Sequence, residues 1–335
     1  MASEIESLLE YVLQIGGSEL IVTEGAPSAV RLAGKVCAIP DAPATSSGAL
    51  RQFLGSIEGE SGSIIGGPWA NTQWRVRYFR EALGNSAVFR PLMAECPNYA
   101  DLGIPQAMNN LLGLNSGLVV FAGPACSGKT TSASAYVNAL CESRVLRASF
   151  LDQAKELPVR AGNSLVFEDS SGSISEKMDQ ALRCGCDLFW LGDFNSDNLI
   201  PMLSAAEAGA LVVCTVTAGN SVGVLDALLS GVSPEDRSLA RTLLASSLKA
   251  VVVQRLLPGA AENVGSMAAW EVMFNTQNVA SAIRNGEHFR LPSVIAASAS
   301  EGMLLMDDCL AELVRSGYVA REEAEKYVSN VARLG

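Results

Sequence analysis

Ile5, Leu8, Leu9, Val12 and Leu13 recur at helical spacing, and Gly16-Gly17 closes that helix. Two short strand-like runs follow, Glu19 to Thr23 and Ala29 to Leu32, separated by the turn residues Glu24-Gly25-Ala26-Pro27. Ala33-Gly34-Lys35 then turns the chain towards Val36 to Ile39. Ser46 to Ile57 reads as a helix and Gly59 to Gly67 as a loop. Trp74, Val76 and Tyr78 alternate with Arg75, Arg77 and Phe79, the period-two pattern of a strand, and Ala87 to Arg90 suggests another. Residues 1–95 thus form a small α+β domain, and Cys96-Pro97-Asn98-Tyr99 begins a linker over 96–103. Residues 104–335 form the second domain, entered through Leu102 to Leu112.

Beyond Gly117 the pattern becomes an alternation of apolar strands and helices. Leu118 to Phe121, Val145 to Asp152, Ser164 to Phe167 and Asp187 to Asp193 read as strands, as do Ala210 to Thr217, Val251 to Leu256 and Ala268 to Phe274. Between them, Ser173 to Cys184 and Leu199 to Ala208 have helical character, the latter stopped by Gly209. Ser233-Pro234-Glu235-Asp236 carries a serine cap, an early proline and acids beside the positive helix end, so a helix starts there and runs through Leu239, Leu243, Leu244 and Leu248. Leu304 to Ser316, closed by Gly317, and Arg321 to Val331 read as two amphipathic helices. The alternation predicts an α/β domain with a mixed or parallel sheet and helices on both faces.

One strand-to-helix junction carries chemistry. Gly123-Pro124-Ala125-Cys126-Ser127-Gly128-Lys129-Thr130 fits G-x-x-x-x-G-K-[S/T], the phosphate-cradling loop of P-loop nucleotidases. Gly123 and Gly128 free the backbone so that successive N–H groups converge on an anion. The helix starting near Lys129 points its positive end at the same place. Lys129 can reach the β and γ phosphates of ATP, Thr130 can ligate Mg²⁺, and Thr131 extends the binding turn. The apolar run Asp187-Leu188-Phe189-Trp190-Leu191-Gly192-Asp193 has the form of a Walker B strand, whose terminal Asp193 serves the metal and the attacking water.

Composition narrows the partners. The formal net charge of −11 argues against a chain that clamps nucleic acid through its phosphates. Eight cysteines occur without any C-x-x-C pair, and Cys184 and Cys186 lack histidine partners, a pattern of small buried hydrophobes in a reducing compartment. Met1 to Leu13 lacks the basic start of a signal peptide, and no apolar run approaches bilayer length, so the expectation is a cytoplasmic protein without membrane insertion. His288 is the only histidine and reads as an ordinary surface or packed residue.

With these motifs in place, the chain resembles the type IV pilus retraction ATPases of the secretion-ATPase superfamily along nearly its whole length. The segment from Leu8 to Pro27 is similar to the family's opening helix and its G-A-S-D-L-H strand. Ala87-Val88-Phe89-Arg90 resembles A-V-F-R, and Gly117 to Thr131 resembles G-L-V-L-V-T-G-P-T-G-S-G-K-S-T. Leu203 to Gly209 is close to L-T-A-A-E-T-G, and Ala282-Ile283-Arg284-Asn285 matches A-I-R-N. The resemblance implies a RecA-like P-loop core, a PAS-like N-terminal domain, Mg·ATP as ligand and a hexameric ring. That ring is either a homo-oligomer or mixed with an active paralogue, peripheral to the inner membrane on a pilus platform protein. It also implies that Arg90, or Arg80, contributes charge across a subunit interface.

The departures fall on the chemistry. The family's T-I-E-D-P-x-E box reads Ser149-Phe150-Leu151-Asp152-Gln153-Ala154-Lys155, so Leu151 stands in the place of the expected glutamate and Asp152 survives. G-E-M-R-D reads Gly192-Asp193-Phe194-Asn195-Ser196. Both histidines of T-G-H-L-V-x-x-T-L-H-T are replaced, by Ala210 and Thr217. The expectation is a chain that binds ATP and hydrolyses it weakly or not at all, either as a motor or as a degenerate regulator of one. Glu156, Glu168 and Asp169 are nearby acids able to stand in as the base.

Overall fold

The computed structural model describes residues 4–32, 35–40, 42–55, 61–81, 84–92, 95–151, 162–168, 172–261 and 265–334. The chain divides into two compact units, one through Glu95 and one from Cys96 onward.

The first unit is a six-stranded sheet carrying two helices. Helix α1 (Glu4–Gln14) buries Ile5, Leu9 and Val12, the stripe its spacing requires. Strands β1 (Glu19–Thr23), β2 (Ala29–Leu32) and β3 (Lys35–Ala38) form a meander. Helix α2 (Ala49–Leu54) is shorter than expected because Gly48 and Gly55, both at positive φ of 82° and 77°, bound it. Strands β4 (Ser61–Trp69), β5 (Thr72–Glu81) and β6 (Gly84–Pro91) complete an antiparallel sheet in the order β3-β2-β1-β6-β5-β4.

Strand β4 corrects the loop expected over Gly59 to Gly67: from Ser61 onward that segment pairs with β5. Two of its glycines lie beneath aromatic rings, where a Cβ on Gly62 would meet Tyr78 Oη at 2.4 Å and one on Gly66 would meet the Trp69 ring at 2.4 Å. The rings replace the missing side chains, so the strand holds without an apolar alternation.

The second unit centres on a seven-stranded sheet, ordered β13-β12-β7-β11-β10-β8-β9. Its elements begin with β7 (Gly117–Ala122), α3 (Lys129–Ser143), β8 (Arg147–Phe150), β9 (Leu165–Glu168), α4 (Ile174–Arg183) and β10 (Leu188–Asp193). Next come α5 (Leu199–Glu207), β11 (Leu211–Val216), α6 (Ser221–Leu229), α7 (Arg237–Ser247), β12 (Leu248–Pro258) and β13 (Ser266–Phe274). The unit closes with α8 (Gln277–Asn285), α9 (Leu291–Ala297), α10 (Met306–Arg315) and α11 (Arg321–Ala324). All pairings are parallel except β12 with β13. Every residue of β7 and β11 is buried, as continuous apolar runs in a doubly covered parallel sheet demand.

Helix α7 begins at Arg237, later than the serine cap suggests. Ser233 Oγ accepts from Asp236 N at 3.1 Å, so the cap closes a preceding turn. The second C-terminal helix ends at Ala324 and not near Val331. There the Ser329 amide donates to Asp307 Oδ1 at 2.9 Å and the Ala332 amide to Asn330 Oδ1 at 3.1 Å, local bonds that compete with helix. All eight cysteines are free. Burial raises the thiols of Cys141, Cys214 and Cys309, and that of Cys186 to about 11. Among the described residues no helix is long and apolar enough to cross a membrane.

Candidate functional site

In a parallel sheet all strands end on one edge, and the loop from Gly123 to Gly128 leaves β7 at that edge. The Gly123 amide donates to Val216 O at 3.2 Å, tying the loop's start to β11, and the Ser127 amide reaches back to Pro124 O at 3.3 Å. A Cβ on Gly123 would come within 2.2 Å of Ser127 Oγ and 2.4 Å of Gln254 O, so only glycine fits. Gly128 is left-handed at φ 84° and precedes α3 with no side chain capping the helix. The first-turn amides of a fifteen-residue helix are therefore free for an anion. Lys129, Thr130 and Thr131 occupy that first turn, each partly exposed, and Ala125 and Cys126 are exposed on the loop crest. Cys126 is left-handed at φ 62°, where the family sequence has glycine, a conformation that costs about 1–2 kcal/mol outside glycine.

Strand parity alone would put Asp193 on the wrong face. Phe189 and Leu191 point into the core shared with Leu118 and Val120. Phe121 faces the other way, against Tyr136 of α3 at 5.6 Å between rings. A register shift between Trp190 and Asp193, with Gly192 left-handed at φ 67°, inserts one extra residue opposite β11. Asp193 then pairs with Thr215, which pairs with Phe121, so the bulge turns the carboxylate to the face that carries α3. Thr215 is fully buried and its hydroxyl donates to Asp193 Oδ1 at 2.7 Å. Asp193 Oδ2 carries no hydrogen bond among the described residues and remains exposed. With β11 alone between them, β7 and β10 are about 10 Å apart. A carboxylate oxygen beside a lysine, a threonine and uncapped amides suits a magnesium-bound polyphosphate.

The other expected residues are placed differently. Leu151 extends the ladder, its amide donating to Trp190 O at 2.8 Å, but its side chain is 2% exposed in the apolar core. Thr217 follows β11 at the phosphate-loop edge and is exposed, whereas Ala210 precedes β11 at the opposite edge and is buried. The two positions are separated by about 23 Å of strand, so only Thr217 neighbours the loop of its own chain. Asp152, Glu156 and Asp169 lie outside the described residues. Glu168 ends β9, four strands and about 19 Å from β7, and is not brought to the loop. Arg90 sits in the first unit's sheet, where Nη2 meets Glu19 Oε1 at 2.6 Å, while Arg31 Nε meets Oε2 at 2.7 Å. Burial pushes the Glu19 carboxyl up, yet the two guanidiniums outweigh it and hold it below the ordinary carboxylate range. His288 is buried, with Nδ1 at 3.1 Å from Asp226 on α6.

Sequence reading missed Gln254, Ser132 and Thr215. The signal for Gln254 was a polar residue inside the apolar run Val251 to Leu257, at a position the structure shows 4% exposed.

The parallel sheet, the glycine-bounded loop and the re-aimed acid define a P-loop nucleotidase of α/β fold. Residues 69–304 match the family model described as type II/IV secretion system protein, and the chain belongs to that family. It is 27% identical over 341 residues to the type IV pilus retraction ATPase PilT of Pseudomonas aeruginosa, covering 96% of this chain and 97% of that one. It is 24% identical over 335 residues to the type IV pilus ATPase PilU of the same organism, covering 96% of this chain and 87% of PilU. Among solved structures, the pilus retraction motor PilT with bound ADP superposes at a TM-score of 0.78, with 21% identity and 97% of each chain covered. The ATPase DotB of Legionella pneumophila also reaches 0.78, at 16% identity, covering 96% of this chain and 94% of DotB. These two structures are likenesses of fold.

Proposed function

We propose that this chain is an ATP-binding subunit of a pilus retraction or secretion motor, and that it turns ATP over slowly. The observation that carries the reading is the uncapped start of α3 behind Gly128, with Asp193 turned to the same face. The Lys129 ammonium and the loop and first-turn amides not engaged by the Gly123–Val216 and Ser127–Pro124 bonds hold the phosphates, and Thr130 and Asp193 are the residues that would hold Mg²⁺. Magnesium, when bound, neutralises charge on the phosphate oxygens. Names borne by the relatives, a pilus retraction ATPase and a pilus ATPase, support the motor class. In that class the chain works as a hexamer in the cytoplasm, alone or mixed with an active relative, on an inner-membrane pilus platform protein.

Slow turnover has its own support. Leu151 is packed in the core where the resemblance places a glutamate, and Thr217 stands at the loop edge where it places a histidine. Losing a positioned general base typically costs on the order of 10²–10⁴ in rate. Titration of the whole chain with Mg·ATP by calorimetry, beside phosphate release, tests both parts. The parent binds Mg·ATP, and Lys129→Ala weakens binding roughly tenfold to a hundredfold through one lost charge-assisted contact. Phosphate release by the parent stays close to that of Lys129→Ala. A parent that leaves Mg·ATP unbound overturns the nucleotide reading, and brisk lysine-dependent turnover overturns the slow-turnover part.

A further inference from the structure

Gln254 lies on β12 directly beneath the phosphate loop. Val253 pairs with Ala122, so Gln254 stands level with Gly123, the loop's first residue. Its carbonyl oxygen abuts Gly123, where a Cβ would come within 2.4 Å. Its side chain crosses to α3, where Oε1 accepts from Ser132 Oγ at 2.6 Å, and both residues are buried, at 4% and 0% exposure. The other end of the same amide, Nε2, abuts Gly128, where a Cβ would come within 2.8 Å. That nitrogen carries no hydrogen bond among the described residues. One residue therefore abuts both glycines of the loop's frame, Gly123 through its backbone carbonyl and Gly128 through its side-chain amide, and that side chain also reaches the first full turn of the helix behind the loop. In this arrangement the Ser132 hydroxyl donates to Oε1, which leaves the N–H₂ group towards Gly128 and keeps a carbonyl oxygen away from an anion site.

We infer that Gln254 is a positioning residue for nucleotide binding, holding Gly128 and the start of α3 in the geometry that makes the loop's amides converge. Glycines at both ends give the loop a wide choice of backbone conformations. Without a backing side chain, the competent arrangement is a smaller share of the ensemble, and apparent affinity falls by that share. Ser132 is the second half of the device, because it orients the amide. This inference rests on the nucleotide reading above.

The test uses the full chain, with Mg·ADP binding measured by calorimetry and unfolding midpoints in urea measured alongside. Gln254→Leu keeps the approximate volume and removes both amide contacts. It weakens Mg·ADP binding roughly tenfold, the equivalent of about 1.4 kcal/mol. Ser132→Ala weakens it about threefold to fivefold, Ser132→Thr restores the parent value, and adding Ser132→Ala to Gln254→Leu costs nothing more, because the hydroxyl acts through the amide. A purely structural role would lower the midpoints and leave affinity untouched in the folded protein, and that result overturns the inference. Equal affinity in Gln254→Leu and the parent overturns it as well, while leaving the nucleotide reading intact. Should Gln254→Leu fail to fold, Ser132→Ala and Ser132→Thr decide alone, and an unchanged affinity in Ser132→Ala refutes the device. A parent that does not bind Mg·ADP removes the nucleotide reading and this inference together.

Discussion

Placing a glutamate at position 151 is the sharpest trial of the slow turnover proposed above. Were Leu151 simply a lost base facing the phosphates, Leu151→Glu would restore hydrolysis and leave stability alone. The structure predicts the opposite. Leu151 is 2% exposed, in the same core as Met178, Phe189 and Leu191, on the face away from Phe121 and α3. Replacing it forfeits about 2 kcal/mol of apolar burial. Sinking a carboxyl there without a partner adds about 1–3 kcal/mol, even in the neutral form. The expected loss is about 3–5 kcal/mol, read in urea unfolding followed by the fluorescence of Trp190 and Trp270. Burial raises the folded pKa of such a glutamate above its ordinary value of about 4.3. A raised pKa means the variant's deficit is smallest near pH 4–5 and grows as pH rises through the folded value. Phosphate release stays at the parent's level. A variant within about 0.5 kcal/mol of the parent at pH 8, with turnover gained, would refute the argument that this site has been absorbed into the core.

Thr215→Val conserves the buried volume and removes the donor to Asp193 Oδ1. The loosened carboxylate should weaken Mg·ATP binding about threefold to tenfold while leaving binding in excess EDTA unchanged, as paired calorimetric titrations would show. In the first unit, Glu19 is held below its ordinary pKa of 4.5 by Arg31 and Arg90. A depressed folded pKa supplies stability above the unfolded value and loses it as pH falls through the folded one, so Glu19→Gln should cost stability at pH 7 and converge with the parent once pH falls below the folded value. Both arginines are about one-third exposed, at 32% and 36%, and solvent screening limits the difference to about 1 kcal/mol in urea unfolding at pH 7.

What the sequence made legible follows from where one local force dominates. The strand from Leu118 to Phe121 is apolar at every position because both faces are covered, and the loop after it shows its motif spacing within eight residues, so both can be read without the rest of the chain. Strand β4 was illegible because its stabilising rings come from Tyr78 on the neighbouring strand and from Trp69 three residues beyond Gly66. Helix α6 carries Ser221, Val224, Leu225, Leu228 and Leu229 on its buried face, a helical spacing hidden behind Gly223 and the turn at Gly219-Asn220. Asp193 shows the same limit at the site. Counting along Leu188 to Asp193 finds the acid, but its side follows from an extra residue that exists only relative to β11. Gln254 is further still from local reading, since it acts on a loop that precedes it by more than a hundred residues and shows its role only through Ser132 and two glycines. Residues that bind are thus found by motif, whereas residues that aim the binders emerge from strand pairing. This chain departs from the family motifs it resembles at Leu151, Ala210 and Thr217, while Gln254 and Thr215 make contacts to the phosphate loop and the acid. The contacts that shape a nucleotide site are present and the residues expected to empty it are changed, and the binding with slow turnover proposed above follows from that division.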